Sequence, residues 1–292
     1  MKGKAKYVLF FVLPAMAMLC VFVIYPVART FVLSFMNSDG KFVGFQNYTR
    51  IFSSRDIIDL QGFSRGFPLG ALVHNLLWIA IHLPLTLILG LSLAVLLKNV
   101  KGGFLIKSII FLGMVMPMIV GGVMINFIFD RNLGVVNGML SLFGIAGKSW
   151  TAYPDTALLS LIFGSVWLWT GFSVVLYSAG LETIPKDYYE AAQLDGASSW
   201  KIFTNITIPL LKPITIVVIT MTLLWELKVF DIVYVATMGG PGGASNVLAL
   251  QMYTYAFRAF DFNRSAAVAV ILTLSTLVVS LSLLRSVKDE QV

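Results

Sequence analysis

Charged residues are so sparse in this chain that long apolar stretches run between them. Tyr7–Ala28 is uncharged and ends at Arg29, and Leu69–Leu97 contains no Lys, Arg, Asp or Glu, only His74 and His82. Ser108–Phe129 closes at Asp130-Arg131, Thr156–Leu181 at Glu182, and Ala266–Leu284 at Arg285. A sixth stretch, Ile214–Met238, is long enough but contains Glu226, Lys228 and Asp231. A spanning helix needs about 20 mainly apolar residues. The pattern therefore predicts an all-α integral membrane protein with six transmembrane helices, at approximately 7–35, 69–97, 105–129, 156–181, 213–237 and 264–285. One transmembrane domain over residues 1–292 is expected. Lys2, Lys4 and Lys6 before an apolar run also resemble a signal peptide. That run is too long for the apolar region of such a signal, so an uncleaved first helix is expected.

Composition agrees. Apolar residues make up 58% of the chain and charged residues 12%, against about 25% charged in a soluble domain. Soluble enzyme, disordered tail and fibrous protein are excluded on that ground. The net charge of +7 fits membrane topology better than nucleic acid, for which no role is expected. With both termini inside, segments 1–6, 98–107, 182–212 and 285–292 hold 11 Lys and Arg in 55 residues, and the outer segments 36–68, 130–155 and 238–265 hold 8 in 87. The inner density is about twice the outer, as the positive-inside bias requires, so both termini are expected in the cytoplasm. Cys20 is the lone cysteine, which excludes an intrachain disulfide and a thiol metal cluster.

Catalytic and nucleotide motifs are missing. Gly147-Lys148-Ser149 imitates the end of a phosphate loop, but position 142 is Leu and the required glycine is absent. There is no His-Glu-x-x-His, and no catalytic residue, metal ligand or cofactor is predicted. His74 and His82, eight residues apart, share a broad helix face; polar packing between helices is favoured over a proton relay.

The longest polar stretch between spans reads IPKDYYEAAQLDGASSWKIFTNITIPLLKP over 184–213. Pro185 suits the first turn of a helix, and Asp187 and Glu190 follow near its positive dipole end. Asp195-Gly196 breaks the helix at a residue that tolerates a left-handed turn, and Ser198 or Ser199 caps a second helix. Trp200, Phe203 and Ile206 lie three apart on its face, and Pro209 and Pro213 are expected to end it. A hairpin with small and apolar residues on its surface suits docking into another protein's groove; a re-entrant loop packed on its own bundle is equally compatible with these residues.

Glu190-Ala191-Ala192-x-x-Asp195-Gly196-Ala197 followed by Ile206-x-Ile208-Pro209-x-x-x-Pro213 resembles the EAA loop of ABC-importer permeases. Phe230-Asp231, Gly239-Gly240-Pro241-Gly242-Gly243 and Phe260-Asp261-Phe262 resemble the carbohydrate branch of that family, which includes maltose and glycerol-3-phosphate permeases. Gly44-Phe45-x-Asn47-Tyr48 and Leu133-Gly134-x-x-Asn137 look like its outer loops. The resemblance covers nearly the whole chain and departs from the enteric maltose permease in lacking the large external insertion and extra N-terminal helices, so the short six-span form is expected. It implies an ABC type I importer permease fold in a prokaryotic inner or plasma membrane. It also implies that Glu190, Ala191, Ala192, Asp195, Gly196, Ala197 and Pro209 couple to an ATP-hydrolysing subunit. Implied partners are a second permease, an ATPase dimer and an extracellular solute-binding protein.

An ionisable group inside a span costs several kcal/mol unless it faces protein or water. Lys228 and Asp231 are three apart, close enough to pair, so a structural ion pair is one reading and a polar solute cavity the other. Thr222, Trp225 and Glu226 combine hydroxyl, aromatic face and carboxylate, which suits a sugar. Ser165, Leu168, Trp169 and Phe172 recur at helical spacing in the fourth span, as a solute-facing stripe or ordinary packing. The resemblance places Ser165, Leu168, Trp169, Phe172, Thr222 and Glu226 at solute-binding positions. The expected function is a non-catalytic permease subunit moving a carbohydrate or polyol, powered by its partners. Two rivals are a proton-driven secondary carrier using Glu226, Asp231 and the histidines, and a non-transporting membrane scaffold.

Overall fold

The computed structural model describes the backbone of residues 2–289 and the side chains of residues 10–282. The side chains of Lys2, Lys4, Lys6, Arg285 and Lys288, which contribute to the expected orientation, lie outside the described residues. The described chain is helical, with a single isolated β-bridge between Met36 and Phe42. In order, the helices are α1 (Lys2–Leu19), α2 (Tyr25–Leu33), α3 (Gln46–Phe52), α4 (Gly62–Arg65), α5 (Ala71–Leu96), α6 (Gly103–Val115), α7 (Met118–Ile128), α8 (Val135–Ser141), α9 (Pro154–Thr183), α10 (Lys186–Leu194), α11 (Ser199–Ile202), α12 (Ile208–Leu210), α13 (Lys212–Glu226), α14 (Asp231–Thr237), α15 (Leu248–Tyr253) and α16 (Phe262–Asp289).

Among the described residues, four helical stretches are long and apolar enough to cross a membrane: Phe10–Leu33, Ala71–Leu96, Pro154–Thr183 and Phe262–Ser282. The number rises to six if each of two bent pairs counts as one span. The expected continuous span over 105–129 is instead α6 and α7, which meet at 106°. Its cause is Met116-Pro117: a residue before proline is pushed out of the helical region, and Met116 is extended at φ −72°, ψ 140°. The stretch 213–237 is likewise not one helix. Helix α13 stops at Glu226, and α14 begins after a break whose last residue, Phe230, sits at φ −139°, ψ −59°. At 1.5 Å per residue α13 is about 22 Å long, short of the roughly 30 Å hydrocarbon layer.

Helix α9 is the centre of the molecule, packing against α5, α6, α7, α13 and α14. Small residues make this possible, since without an apolar driving force in lipid, helices associate where backbones approach closely. A Cβ on Gly90 of α5 would stand 2.3 Å from the Cβ of Ser173, and one on Gly171 would stand 2.8 Å from the Cα of Phe111 in α6. The N-terminal span is peripheral: α2 packs on α16, while Phe10, Phe11 and Phe22 are about three-quarters exposed.

Two helices pass a proline by widening a turn. The five-residue π turn Cys20–Ile24 precedes Pro26 and closes with the Tyr25 N–H on the Cys20 carbonyl. The π turn Phe203–Thr207 precedes Pro209 in the same way, with the Ile208 N–H on the Phe203 carbonyl. Proline lacks an amide hydrogen, and the wider turn shifts the bonding by one residue where the ordinary partner would be lost. Pro209 itself lies inside helical structure, which ends one residue beyond it at Leu210; the chain then bends by 66° before Lys212, with Pro213 in the first turn of α13.

The loop motifs singled out in the sequence are structural anchors. Asn47 donates to the Ser34 and Met36 carbonyls at 2.9 and 2.8 Å. Asn137 donates to the Asp130 and Lys148 carbonyls at 2.7 and 2.9 Å and accepts from Trp150 Nε1–H at 2.7 Å. Asp130 accepts the amides of Asn132 and Leu133, which holds its carboxyl below the usual carboxylate range. Asp261 accepts the Arg264 amide and pairs with its side chain at 2.6 Å.

Candidate functional site

The site grows from the contact between α9 and α13, close to the break after Glu226. Trp169 on α9 donates its Nε1–H to Thr222 Oγ1 on α13 at 2.8 Å. This bond holds the indole parallel to that of Trp225, with centroids 4.8 Å apart and planes at 19°. Phe172 lies half-buried beside Trp169 at 5.5 Å. Trp169 and Trp225 form one wall of an open cavity of about 360 Å³, together with Met118, Lys228, Phe230 and Asp231. An aromatic plane, an ammonium donor and a carboxylate acceptor thus share one concave surface.

Behind that wall lies a polar layer. Glu226 and His82 are fully buried, and Glu226 Oε1 meets His82 Nδ1 at 2.7 Å. His82 also lies 5.3 Å, ring to ring, from Trp225. Glu226 thus turns away from the cavity towards α5. Lys228 and Asp231 form no ion pair with each other within 4.0 Å among the described residues; both are exposed at the cavity. Thr222 stands behind the indoles, while Ser165 and Leu168 are buried in the core: Ser165 donates to the Ile162 carbonyl, and Leu168 packs on Gly121. Of the seven expected solute residues, the structure puts Trp169 and Trp225 on the cavity and the other five beside or behind it.

His74 is also part of the packing. Its Nε2 accepts the Leu69 amide at 3.0 Å, which leaves Nδ1–H to donate to the Asn246 carbonyl at 2.7 Å. Asn75 carries a structural role missed from sequence. Its Nδ2 donates to the Glu226 carbonyl at 3.0 Å and its Oδ1 accepts the Leu248 amide at 2.8 Å. One side chain on α5 thereby joins the end of α13 to the start of α15. The only sequence signal was a polar residue in an apolar run.

At one end of the spans, residues 184–213 form the expected helical hairpin. Pro185 is the residue before the first turn of α10, one place earlier than expected. Gly196 adopts φ +75°; its amide donates to Gln193 and that of Ala197 to Ala192, at 3.0 and 2.9 Å. These paired bonds close the helix in the usual glycine-dependent way. Ser198, of the two candidate serines, caps α11 by accepting the Lys201 amide. Glu190, Ala191, Asp195, Gly196 and Pro209 are exposed, and Ala192 and Ala197 half-buried. Leu194 is 90% exposed and Trp200 72%. A concavity of about 600 Å³ is lined by Tyr188, Ala191, Ala192, Asp195 and Ile206. On the inner side, Lys98 Nζ lies 5.0 Å from the centre of the Tyr189 ring, a cation–π contact tying the hairpin to the end of α5.

The chain is 56% identical to a probable ABC transporter permease protein of Pyrococcus horikoshii, over 94% of this chain and 96% of that protein. It is 32% identical to the trehalose/maltose transport system permease protein MalF of Thermococcus litoralis, over 98% and 96% of the two chains. Its fold matches a crystal structure of a bacterial ABC transporter involved in the import of the acidic polysaccharide alginate, with a TM-score of 0.81 at 21% identity, covering 98% of this chain and 96% of that one. Residues 86–289, from the middle of α5 to the end of α16, match the family described as binding-protein-dependent transport system inner membrane component, and the chain belongs to that family of ABC-importer permeases.

Proposed function

We infer that this protein is a carbohydrate-translocating permease subunit of an ATP-driven importer, and that it performs no catalysis itself. The observation that carries this reading is the hairpin. An exposed leucine, tryptophan and alanine, with a second alanine half-buried beside them, on a polar loop outside the spans form a surface for a partner protein. In this reading Glu190, Ala191, Ala192, Asp195, Gly196, Ala197 and Pro209 seat in a cleft of an ATP-binding subunit. Closure of an ATPase dimer then moves the hairpin, and α13, which follows it directly, moves with it.

The solute path is the cavity beside α13. Carbohydrate recognition combines stacking of apolar C–H faces on aromatic planes with hydrogen bonds to hydroxyls. Trp169 and Trp225 supply the plane, Lys228 the donor and Asp231 the acceptor. Glu226, Thr222, Ser165, Leu168 and Phe172 support that wall. The cavity is open on one side, which suits a path completed by a second permease subunit, with solute delivered by an extracellular binding protein. The trehalose/maltose relative supports a sugar as the cargo. A proton-driven carrier is disfavoured by the exposed hairpin, for which such a carrier has no use.

We place six spans in a prokaryotic inner or plasma membrane, α6 with α7 forming one and α13 with α14 another, with both termini and the hairpin cytoplasmic. In a Cys20→Ser background, a cysteine at the exposed Ser199 is expected to react only with reagent on the cytoplasmic side, and one at the exposed Ser53 only from outside. The reverse labelling would overturn this orientation. The functional reading is tested by affinity purification of the tagged chain from its native membrane. A second permease and an ATP-binding subunit are expected in stoichiometric amounts, and a chain that purifies alone while transporting sugar would refute the assignment.

A further inference from the structure

A second cavity, of about 540 Å³, lies at the hairpin end of the spans between the end of α5, the start of α6 and the last turns of α9. Its wall is divided by polarity. Lys98 and Lys107 supply two cations, and Glu182 one opposing carboxylate. Phe104 and Val175 supply apolar surface, 79% and 42% exposed. The buried Ser178 hydroxyl also lines it and has no hydrogen-bond partner. On α9 the Ser160 and Thr170 hydroxyls bond to the carbonyl four residues back, whereas those of Ser173 and Ser178 have no partner; of these two, Ser178 lines the cavity. Lys107 forms no ion pair among the described residues.

We propose that this cavity binds an anionic phospholipid, its phosphate at Lys98, Lys107 and the Ser178 hydroxyl and its first acyl segments on Phe104 and Val175. The occupant follows from the surroundings. The outer face of α6 continues from the cavity through Leu105, Ile109 and Leu112, each more than half exposed, so the apolar wall runs directly into a lipid-facing surface. A soluble anion would leave that apolar wall in water, and a zwitterionic lipid would bring its own cation against two ammonium groups that Glu182 only half neutralises. Basic pockets between spans at the membrane surface select anionic headgroups for this reason. Because Lys98 also contacts Tyr189 of the hairpin, the lipid would sit against the joint between α5 and the hairpin.

The test uses the assembled transporter in detergent, with bound lipid read by native mass spectrometry against phosphatidylglycerol and phosphatidylcholine offered in equal amounts. Phosphatidylglycerol is expected to be retained preferentially. Lys107→Gln is expected to lower that preference about fivefold, as loss of one surface lysine contact implies, and Glu182→Gln to raise it by a similar factor. The opposite sign of the two effects separates headgroup recognition from damage to the fold. An unchanged preference in Lys107→Gln would overturn the proposal. So would full displacement of phosphatidylglycerol by 10 mM inorganic phosphate, which identifies a soluble-anion site. Lipid binding in this assay does not depend on which face is cytoplasmic, so its failure is distinguishable from failure of the orientation proposed above.

Discussion

Trp225→Ala is expected to lower sugar uptake by about 30-fold while the transporter still assembles. The size follows from the loss of one aromatic anchor at a binding surface, about 2 kcal/mol. Trp225 stacks on Trp169 at 4.8 Å and faces the cavity, so its removal takes away the plane and frees the Trp169 ring as well. Trp225→Phe keeps a plane and is expected to retain most of the uptake. The contrast is Glu226→Ala. That carboxyl group is fully buried and hydrogen-bonded to His82, and leaving a buried partner unsatisfied costs about 1–3 kcal/mol. A fall in uptake in Glu226→Ala should therefore track yield and thermal stability, whereas in Trp225→Ala uptake per assembled complex should fall beyond any loss of stability. Initial uptake rates in proteoliposomes, normalised to assembled complex, check both. Wild-type uptake in Trp225→Ala would remove the indole wall from the solute path.

The second large effect is expected at Gly196. Its φ of +75° is unfavourable for other residues, but a Cβ built there meets nothing within 4 Å. Within the chain, Gly196→Asp therefore meets only backbone strain of about 1 kcal/mol, and the hairpin should still form. Any larger consequence must arise at a partner, because the new carboxylate projects from an exposed turn beside Ala191 and Ala192. The expected outcome is loss of the ATP-binding subunit on purification and at least a tenfold fall in uptake, with thermal stability of the permease almost unchanged. A variant that retains the ATPase and transports normally would show that the hairpin does not couple the two subunits.

The parts of the fold that follow from local rules were legible in the sequence. Uncharged runs of spanning length located the N-terminal helix, α5, α9 and α16, and Asp195-Gly196 located the hairpin turn. The break between α6 and α7 was also written locally, in Met116-Pro117, but the unbroken apolar run around it concealed it. The break after Glu226 was different. Residues 227–230 are Leu-Lys-Val-Phe, with no glycine or proline. The group that takes the terminal Glu226 carbonyl is Asn75, 151 residues away. No window on α13 contains that information.

The site divides in the same way. Helical spacing brought Trp169 forward and the combination with Thr222 and Glu226 brought Trp225 forward, and the two meet. The charges near the break left two readings open, an ion pair or a cavity lining, because the direction each one points depends on where α13 ends. Glu226, on the last helical turn, faces His82 on α5. Lys228 and Asp231, beyond that turn, face the cavity and do not pair. Three-residue spacing brings side chains together only where the helix continues, and here it does not.

The central claim is that sugar movement through this chain is driven by ATP hydrolysis in a partner. The most direct test is uptake of radiolabelled maltose or trehalose by proteoliposomes containing this chain and its co-purifying permease, with its binding protein outside. The ATP-binding subunit is included or omitted, ATP is enclosed in the vesicles, and a protonophore is added in parallel. The account predicts uptake only when both the ATP-binding subunit and ATP are present, unaffected by the protonophore. Uptake that persists without the ATP-binding subunit and collapses with the proton gradient would contradict it.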